Sequence, residues 1–340
     1  MTAVPAVPAA ALFRPLCPDE GTDQGDPFVV ATTPEDGSAR RFYVYVTGND
    51  PLAGLAFPVY ASDDLVSWER VGTALEAGAA TSHWAPCVRH VPGLPRPWAM
   101  LYSRAVGTGE QGHVGHALRR ADAEAPEGPF RDTGEVLTPE IDFAIDADVY
   151  RRPDGALMLA WAMDFVADEP YGTGIVEAAV SPDLRRIVGP VRVLARPSLP
   201  WHLFDAARTM PWKTIPGVDW SRGDTVRWST VEGPVGGLVA PRGGPVVLYS
   251  GGCFFGTYAV GALAEEPGGE PRNLTSGDGD WVLAARPERG FYAPGHCSWL
   301  KLPGGAEYLM THARFGSPDA PRRFCLVPLR WTADGRPFVP

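Results

Sequence analysis

The chain has 340 residues, a formal net charge of −10 and 45% hydrophobic residues, with 39 glycines and 36 prolines. Frequent turn residues beside a large apolar fraction indicate many short strands rather than disorder, and closed all-β folds of this length form one domain. The acidic balance, with no basic run, argues against nucleic acid as a partner. No run reaches the roughly 18 apolar residues of a membrane span, so no membrane partner is expected.

Residues 1–22 are rich in alanine and proline and are predicted to form a tail, with the main domain at residues 23–340. Residues 1–8 lack the charged start and apolar core of a signal peptide, which favours a cytoplasmic location. The five cysteines are odd in number and form no CxxC pair, so free thiols in a reducing compartment are expected.

One pattern recurs five times: a polar or small entry, an apolar strand, a glycine-bearing turn and a second apolar strand, as is typical of a β-hairpin. A spacing of roughly sixty residues holds a four-stranded blade with its loops, and blades arranged radially protect sheet edges. The sequence therefore predicts an all-β, five-bladed β-propeller. The first strands begin near residues 26, 84, 146, 232 and 295, with turns at 35–37, 92–93, 153–155, 242–244 and 303–305.

Two features lie between these hairpins. A Ser-x-Asp-Leu sequence at residues 62–65 and 181–184 follows an apolar segment each time, as expected for the outer part of a blade. Residues 186–230 form the longest gap between repeats, and they predict a long loop with aromatic residues that either caps the channel or covers a blade. Helical periodicity is almost absent.

Acidic or histidine residues open four of the five hairpins, namely Asp26, Asp146, Glu232 and His296. The first strand of each propeller blade lines the central channel, so these side chains are predicted to converge at one end of the axis. Cleavage of a glycosidic bond needs such a set, because one carboxylic acid protonates the departing oxygen while a carboxylate activates water from the opposite face. A third carboxylate would raise the pKa of the acid and keep it protonated.

Each of these residues also has an ordinary structural explanation. A single Asp-Pro or Glu-Gly-Pro occurs by chance in turns, and in the third blade Asp142 or Asp148 could be the functional carboxylate instead. A lone histidine such as His296 is often structural, and a metal site that adds Cys87 and Cys297 matches no zinc signature. Recurrence at equivalent blade positions is what favours catalysis.

Taken together, the hairpin openings resemble glycoside hydrolase family 43, from about Gly25 to the C-terminus, where residues 331–337 resemble the family's closing strand. That family has five-bladed propellers and includes α-L-arabinofuranosidases, β-xylosidases and arabinanases. The resemblance implies an inverting glycoside hydrolase with a carbohydrate substrate, and the lack of a signal peptide favours exo action on terminal pentoses of oligosaccharides. The segments that carry it are Gly25-Asp26-Pro27, Trp84-Ala85-Pro86, Ile145-Asp146, Glu232-Gly233-Pro234 and Pro294-Gly295-His296.

The resemblance also implies a role for each position. Asp26 corresponds to the general base and Glu232 to the general acid, while Asp146 orients that acid and raises its pKa. His296 corresponds to a channel histidine that in many members lies beside a bound metal ion, often Ca²⁺, or beside its waters. Trp84 would form part of the sugar-binding wall.

The sequence departs from the family pattern at Cys87, where an acidic residue usually follows Trp-Ala-Pro, and at Cys297, where small polar residues are common. Three other functions stay open at this stage. A retaining fructan hydrolase would show Arg-Asp-Pro in the third blade and Glu-Cys in the fourth, and a glycoside phosphorylase would need a basic phosphate cluster. The third is a non-catalytic sugar-binding propeller. The sugar, the linkage and the oligomeric state are not fixed by the sequence.

Overall fold

The structure is a computed structural model, and it describes residues 7–17, 23–33, 41–50, 54–78, 82–105, 114–241, 243–266, 268–277 and 279–340. The secondary structure of these residues consists mainly of β-strands. The strands are β1 (Gly25–Ala31), β2 (Phe42–Thr47), β3 (Asn49–Asp50), β4 (Leu55–Ser62), β5 (Glu69–Glu76), β6 (His83–His90), β7 (Trp98–Ala105), β8 (His116–Ala123), β9 (Phe130–Val136), β10 (Ala144–Arg151), β11 (Leu157–Phe165), β12 (Gly172–Ala179), β13 (Arg192–Ala195), β14 (Leu203–Arg208), β15 (Val226–Val239), β16 (Pro245–Gly251), β17 (Ala259–Glu265), β18 (Pro271–Asn273), β19 (Phe291–Lys301), β20 (Glu307–Phe315), β21 (Arg322–Trp331) and β22 (Pro337–Phe338).

Helical structure within the described ranges is limited to short 3₁₀ turns, which agrees with the absence of helical periodicity in the sequence. They span Ala9–Ala11, Pro200–His202, Trp220–Arg222 and Pro287–Arg289. None of these turns has the length and apolar character that a membrane crossing requires.

Antiparallel pairing groups the strands, in chain order, into four-stranded units, with β3 and β14 as additional strands paired to β4 and β15. The units are β1-β2-β4-β5, β6-β7-β8-β9, β10-β11-β12-β13, β15-β16-β17-β18 and β19-β20-β21-β22. Short parallel contacts join neighbouring units, β5 to β9 and β12 to β15. The prediction of an all-β propeller is confirmed, and the five units correspond to the five predicted hairpins.

The hydrophobic core lies between the faces of adjacent blades. One cluster joins the first three blades through Tyr45, Trp98 and Trp161, all of which are fully buried. A second joins the fourth and fifth blades through Leu248 and Leu309. Because large aromatic and aliphatic side chains fill each wedge, the packing fixes where each inner strand stands around the axis.

The ring closes by packing between the first and fifth blades, whose buried strands share one cluster that includes Val44 and Met310. Residues 7–17 run along the outside of this junction. The Phe13 and Leu16 N–H groups donate to Leu326 and Phe324 carbonyls of β21 at 3.1 and 3.2 Å. The rest of the predicted tail, residues 1–6 and 18–22, lies outside the described residues.

Three sequence expectations change in detail. The fourth and fifth inner strands, β15 and β19, begin at Val226 and Phe291, well before the predicted starts at 232 and 295. Residues 186–230 are not a plain loop, because they contain β13, β14 and two 3₁₀ turns, and β14 pairs with β15. The solvent-exposed β14 has no apolar alternation, so its sequence gives no strand signal.

Some of the predicted turns lie outside the described residues and others are observed. Those at 35–37 and at residue 242 lie outside the described residues, whereas 153–155 and 303–305 form the expected turns. The two Ser-x-Asp-Leu sequences connect the third and fourth strands of their blades. In each, the serine hydroxyl accepts from backbone N–H groups further along, as in Leu65 N–H to Ser62 Oγ at 3.0 Å.

Candidate active site

The inner strand of every blade bends at the same place. In β1, β6, β10, β15 and β19 the pairing with the next strand slips by one residue, which is a β-bulge. The first residue of each bulge has a positive φ, an arrangement that is unusual for residues other than glycine and that re-aims the chain towards the axis. These residues are Asp26 (53°), Ala85 (48°), Asp146 (61°), Gly233 (55°) and His296 (43°).

Glu232 stands one position earlier than the other acidic residues. It pairs with Ser250 immediately before the bulge, so Gly233 occupies the position that is equivalent to Asp26 and Asp146. The prediction that all acidic residues hold equivalent strand positions is therefore wrong for Glu232 by one residue. A bulge adds a residue to one strand only, and hydrophobic alternation does not reveal it.

The residues predicted from the sequence nevertheless meet in one place. A cavity of about 540 Å³ is lined by Asp26, Asp146 and Glu232, together with Trp84 and His296. The Nδ1 atom of His296 lies 3.4 Å from Asp26 Oδ1 and 3.8 Å from Asp146 Oδ2. Carboxylates from three separate blades thus share a single cavity with the histidine and the tryptophan.

Hydrogen bonds between blades hold the bulges in position. In three places a side chain on the second strand of one blade accepts the bulge N–H of the next blade. The pairs are Ala85 N–H to Thr47 Oγ1 (2.8 Å), His296 N–H to Ser250 Oγ (2.7 Å) and Asp26 N–H to His312 Nδ1 (3.1 Å). The third blade has Ala162 at this position, and Asp146 Oδ2 itself accepts the Gly233 N–H at 3.0 Å. That bond fixes the orientation of Asp146.

Asp26 lies beside a permanent positive charge. Arg322, at the start of β21, donates from Nη1 to Asp26 Oδ1 at 3.2 Å and also binds Asp23. Burial alone would raise the pKa of Asp26, but nearby His296, Arg322 and His312 outweigh it and hold that pKa well below its usual value. Burial lowers the pKa of both imidazoles, so at neutral pH Arg322 alone supplies the positive charge, and the two histidines oppose protonation of Asp26 only at pH values low enough to charge them.

The local sequence makes room for this arginine. A Cβ atom at Gly25 would collide with the Arg322 guanidinium, so the glycine before Asp26 is required by a close approach. The resemblance motif Gly-Asp-Pro therefore has a physical reason in its first residue as well as in its second.

Glu232 and Asp146 form the opposite electrostatic case. Burial raises the pKa of Glu232 to about 7, against a hydrogen bond of 2.7 Å that the Tyr258 hydroxyl donates to its Oε1. Burial and the charge of Glu232 also raise the pKa of Asp146. Since the two carboxyls interact, they titrate as a pair, and the pair holds a proton near neutral pH. The site thus separates one ionised carboxylate, Asp26, from a proton-bearing pair.

Three of these contacts were missed by the sequence analysis. His312 is the last residue of a predicted strand, and only the register, which pairs it with Gly295, places it beside Asp26. Tyr258 and Arg322 belong to no motif. Tyr258 immediately precedes β17, and Arg322 is the first residue of β21. Nothing in the sequence near either residue indicates that these strand ends reach the cavity, because that depends on how the blades close into a ring.

The 186–230 segment supplies one wall of the cavity. Phe204, Met210, Trp212 and Lys213 line it from this segment. Trp201 of the same segment does not line the cavity and packs on the fourth blade, against Tyr249 of β16. The segment therefore both caps the cavity and covers a blade.

The wall also carries a buried ion pair. Lys213 Nζ lies 2.5 Å from Asp164 Oδ2 and 3.4 Å from Asp142 Oδ2. Asp164 accepts a further hydrogen bond of 2.9 Å from Thr173, and both Asp164 and Thr173 line the cavity. Asp142, an alternative to Asp146 on sequence grounds, has a side chain that is 80% exposed and does not line the cavity.

Below the cavity the axis narrows to a channel of about 40 Å³, lined in part by His296 and Asp148. Asp148, the other alternative to Asp146, accepts from Arg89 Nη2 at 2.9 Å and from the Gly236 N–H at 2.8 Å. The Arg89 guanidinium lies 4.6 Å from the centre of the Phe28 ring. The positive charge next to the Asp148 carboxylate in the channel is therefore supplied by the Arg89 guanidinium.

These donors do not suit a directly bound Ca²⁺, which takes about six to eight oxygen ligands. Among the described residues, no group of three or more His, Cys, Asp or Glu side chains is placed to hold a metal ion. Burial raises the pKa of the Cys87 and Cys297 thiols to about 12, so both stay protonated. Contact between His296 and a metal through water stays a prediction, and no catalytic step is assigned to a metal.

Acidic residues from three blades that surround a sugar-sized cavity at the end of a propeller axis define a class of enzyme. One carboxylate is ionised and a second group is protonated, as the cleavage of a glycosidic bond requires. This class is the propeller glycoside hydrolases.

The sequence profile of Glycosyl hydrolases family 43 matches residues 23–337, and the chain belongs to this family. The resemblance inferred from the hairpin openings is confirmed, and the protein is a glycoside hydrolase. No curated protein matches the sequence.

Solved structures show the same fold. A thermostable family-43 glycoside hydrolase matches with a TM-score of 0.69 and 24% identity over 94% of this chain and 93% of the other. An endo-1,4-beta-xylanase from Bacteroides thetaiotaomicron matches with a TM-score of 0.66 and 22% identity over 94% of each chain. An alpha-L-arabinofuranosidase from Lactobacillus brevis matches with a TM-score of 0.64 and 19% identity over 92% and 93%.

Proposed function

We propose that the protein is an inverting, exo-acting glycoside hydrolase that releases terminal pentose residues, α-L-arabinofuranosyl or β-D-xylosyl, from oligosaccharides. The observation that carries the proposal is the single cavity in which Asp26 is ionised while Glu232 and Asp146 hold a proton. Similar structures include proteins described as an alpha-L-arabinofuranosidase and a xylan beta-1,4-xylosidase.

In this mechanism Asp26 is the general base. Its low pKa keeps it ionised, and its carboxylate accepts a proton from the water that attacks the anomeric carbon. Arg322 and the His312-capped backbone N–H fix the carboxylate in position. Attack from the face opposite the leaving group inverts the configuration of the sugar.

Glu232 is the general acid. Its pKa of about 7 leaves a large fraction of it protonated at neutral pH and nearly all of it at lower pH, so it can protonate the glycosidic oxygen as the bond breaks. Asp146 supports it, because a neighbouring carboxyl favours retention of the proton and the Gly233 N–H keeps Asp146 in place. Trp84 offers a flat apolar face for the sugar, stacked on the His116 ring with centroids 3.8 Å apart.

Two leaving groups separate the roles of the acid and the base. On a nitrophenyl pentoside the leaving group needs little protonation, whereas on the matching pentose disaccharide it needs a full proton. We expect Glu232→Gln to lose about 10²–10⁴ in kcat/KM on the disaccharide and far less on the nitrophenyl pentoside. Asp26→Asn loses activity on both substrates alike.

Glu288→Gln is the matched control, because the Glu288 side chain is 70% exposed and makes the same change of charge away from the cavity. NMR of the first product should show the anomer opposite to that of the substrate. Retained configuration, or equal disaccharide activity in wild type and Glu232→Gln, would contradict the proposal.

A further inference from the structure

The cavity contains a cation that forms no direct ion pair with a described carboxylate. Arg208, the last residue of β14, lines the cavity, and among the described residues it donates no hydrogen bond and forms no ion pair within 4.0 Å. Its guanidinium carbon lies 4.8 Å from the Phe204 ring centre and 5.3 Å from the Trp228 ring centre. Aromatic rings rather than carboxylates therefore hold it.

The other cations of the cavity are paired. Arg322 binds Asp23 and Asp26, and Lys213 binds Asp164. A partly buried guanidinium that forms no hydrogen bond with the protein is costly, because it loses hydration and its N–H groups gain no direct acceptor in return. The five N–H groups of a guanidinium also keep their hydrogen-bonding capacity for a ligand when the protein does not use them.

The position of Arg208 relates it to the departing part of the substrate. Its guanidinium packs on the ring of Trp228, which belongs to β15, the strand that carries Glu232, so it stands on the acid's side of the cavity. The general acid contacts the glycosidic oxygen, and the water that attacks comes from the side of Asp26. A group beside the acid therefore faces the leaving group rather than the terminal sugar.

We propose that Arg208 binds a carboxylate on the leaving group, so that the preferred substrates carry a uronic acid next to the pentose that is released. The proposal rests on the hydrolase function given above. A planar guanidinium matches a carboxylate through two parallel hydrogen bonds, and stacking on rings keeps the plane of the fork in place beforehand.

The test uses an aryl pentoside with a 3- or 4-carboxyphenyl leaving group and its methyl ester, as the α-L-arabinofuranoside and as the β-D-xyloside. The two leaving groups differ by one negative charge and one methyl group, and the ratio of their kcat/KM values is compared between wild type and Arg208→Met, so that intrinsic differences between the two substrates cancel. We expect the variant to lower the acid-to-ester ratio by about 10- to 100-fold, the range of a charge-assisted hydrogen-bonded pair. Arg208→Lys restores the charge but only part of the ratio, because it lacks the fork.

Arg227→Met is the matched control. Arg227 neighbours Trp228 on β15, but it is exposed and does not line the cavity, so its loss should leave the ratio unchanged. Should Arg208→Met fail to fold, Arg208→Lys carries the same comparison.

The outcomes separate the two proposals. If wild type cleaves the ester and Arg208→Met lowers the acid and the ester equally, or lowers neither, the uronic acid inference is overturned while the hydrolase function stands. If wild type cleaves no pentoside of either kind, the proposed function fails, and the inference falls with it.

Discussion

The floor and the wall of the cavity are built in different ways. The floor consists of the inner-strand bulges that carry Asp26, Asp146 and His296, and hydrogen bonds between blades hold it. The wall is the segment from β14 to Lys213, which lies between two blades and is held by aromatic packing and one buried ion pair. The floor fixes groups to within hydrogen-bond precision, as catalysis requires, while the wall shapes the space beside them.

The charged side chains are also balanced differently in the two regions. On the floor the ionised Asp26 is balanced by Arg322, and the remaining carboxyls share a proton. On the wall Lys213 is paired with Asp164, whereas Arg208 packs on aromatic rings and, in our proposal, binds a carboxylate of the substrate. The comparison predicts that changes on the floor abolish turnover, while changes on the wall alter stability or substrate choice.

The largest effect is expected on the floor. Asp26→Asn removes the base, and we expect kcat to fall by about 10³- to 10⁴-fold in a steady-state assay with a nitrophenyl pentoside. Asp23→Asn is the control, because Asp23 binds the same Arg322 but its side chain is 47% exposed. A similar loss in both variants would mean that Arg322, and not the base, carries the effect.

The wall's ion pair should show up in stability. Lys213→Met removes the ammonium group that pairs directly with the buried Asp164, so we expect a loss of about 3 kcal/mol in the free energy of unfolding, measured in urea. Adding Asp164→Asn should restore part of it. Arg196→Met breaks an exposed pair with Asp168 and should cost less than about 1 kcal/mol. Equal losses in both single variants would show that burial of the pair is unimportant.

The pH profile distinguishes the groups of the floor. With the pKa of Glu232 at about 7, kcat/KM should fall above neutral pH as the acid loses its proton, and Asp26 should cause no acid limb near its ordinary pKa. The Tyr258 hydroxyl stabilises the Glu232 carboxylate, so Tyr258→Phe raises the pKa of Glu232. The alkaline limb then moves to higher pH, with about twofold or more relative activity at pH 8. A shift to lower pH would contradict the assignment of the acid.

The smallest effect is expected at the rim of the wall. The Trp212 side chain lines the cavity and is 47% exposed, so it offers a surface for the substrate rather than a structural support. Trp212→Ala should raise KM about threefold and leave kcat unchanged, because it removes binding shared by substrate and transition state. Val188→Ala, at an exposed residue that does not line the cavity, is the control. A fall in kcat with an unchanged KM would contradict this assignment, because it would mean that Trp212 acts in catalysis as the residues of the floor do.

Much of the floor could be predicted from the sequence, because each inner strand begins an apolar hairpin, and four of these hairpins open with an acidic residue or a histidine. Five such openings in order gave the propeller, the family and the convergence of Asp26, Asp146 and Glu232. Two details escaped, the one-residue offset of Glu232 and the true starts of β15 and β19. A bulge changes register without changing composition, so no local pattern records it.

The wall could not be predicted in the same way. Arg208 and Lys213 lie in a segment without periodicity, and β14 is exposed, so nothing in the order of residues distinguishes it from a loop. Arg322 reaches Asp26 across 296 positions of sequence, a contact that depends on closure of the ring between the last blade and the first.

The sequence by itself determined the all-β propeller, its hairpin repeat and the acidic residues at the blade openings, because apolar patterning and turn residues act over a few residues of chain. Only the tertiary structure determines that Asp26 is ionised, that Glu232 and Asp146 hold a proton, and that Arg208 forms no direct ion pair. Those properties follow from burial and from charges brought together by blades that are distant in sequence, and they exist only when the ring is closed.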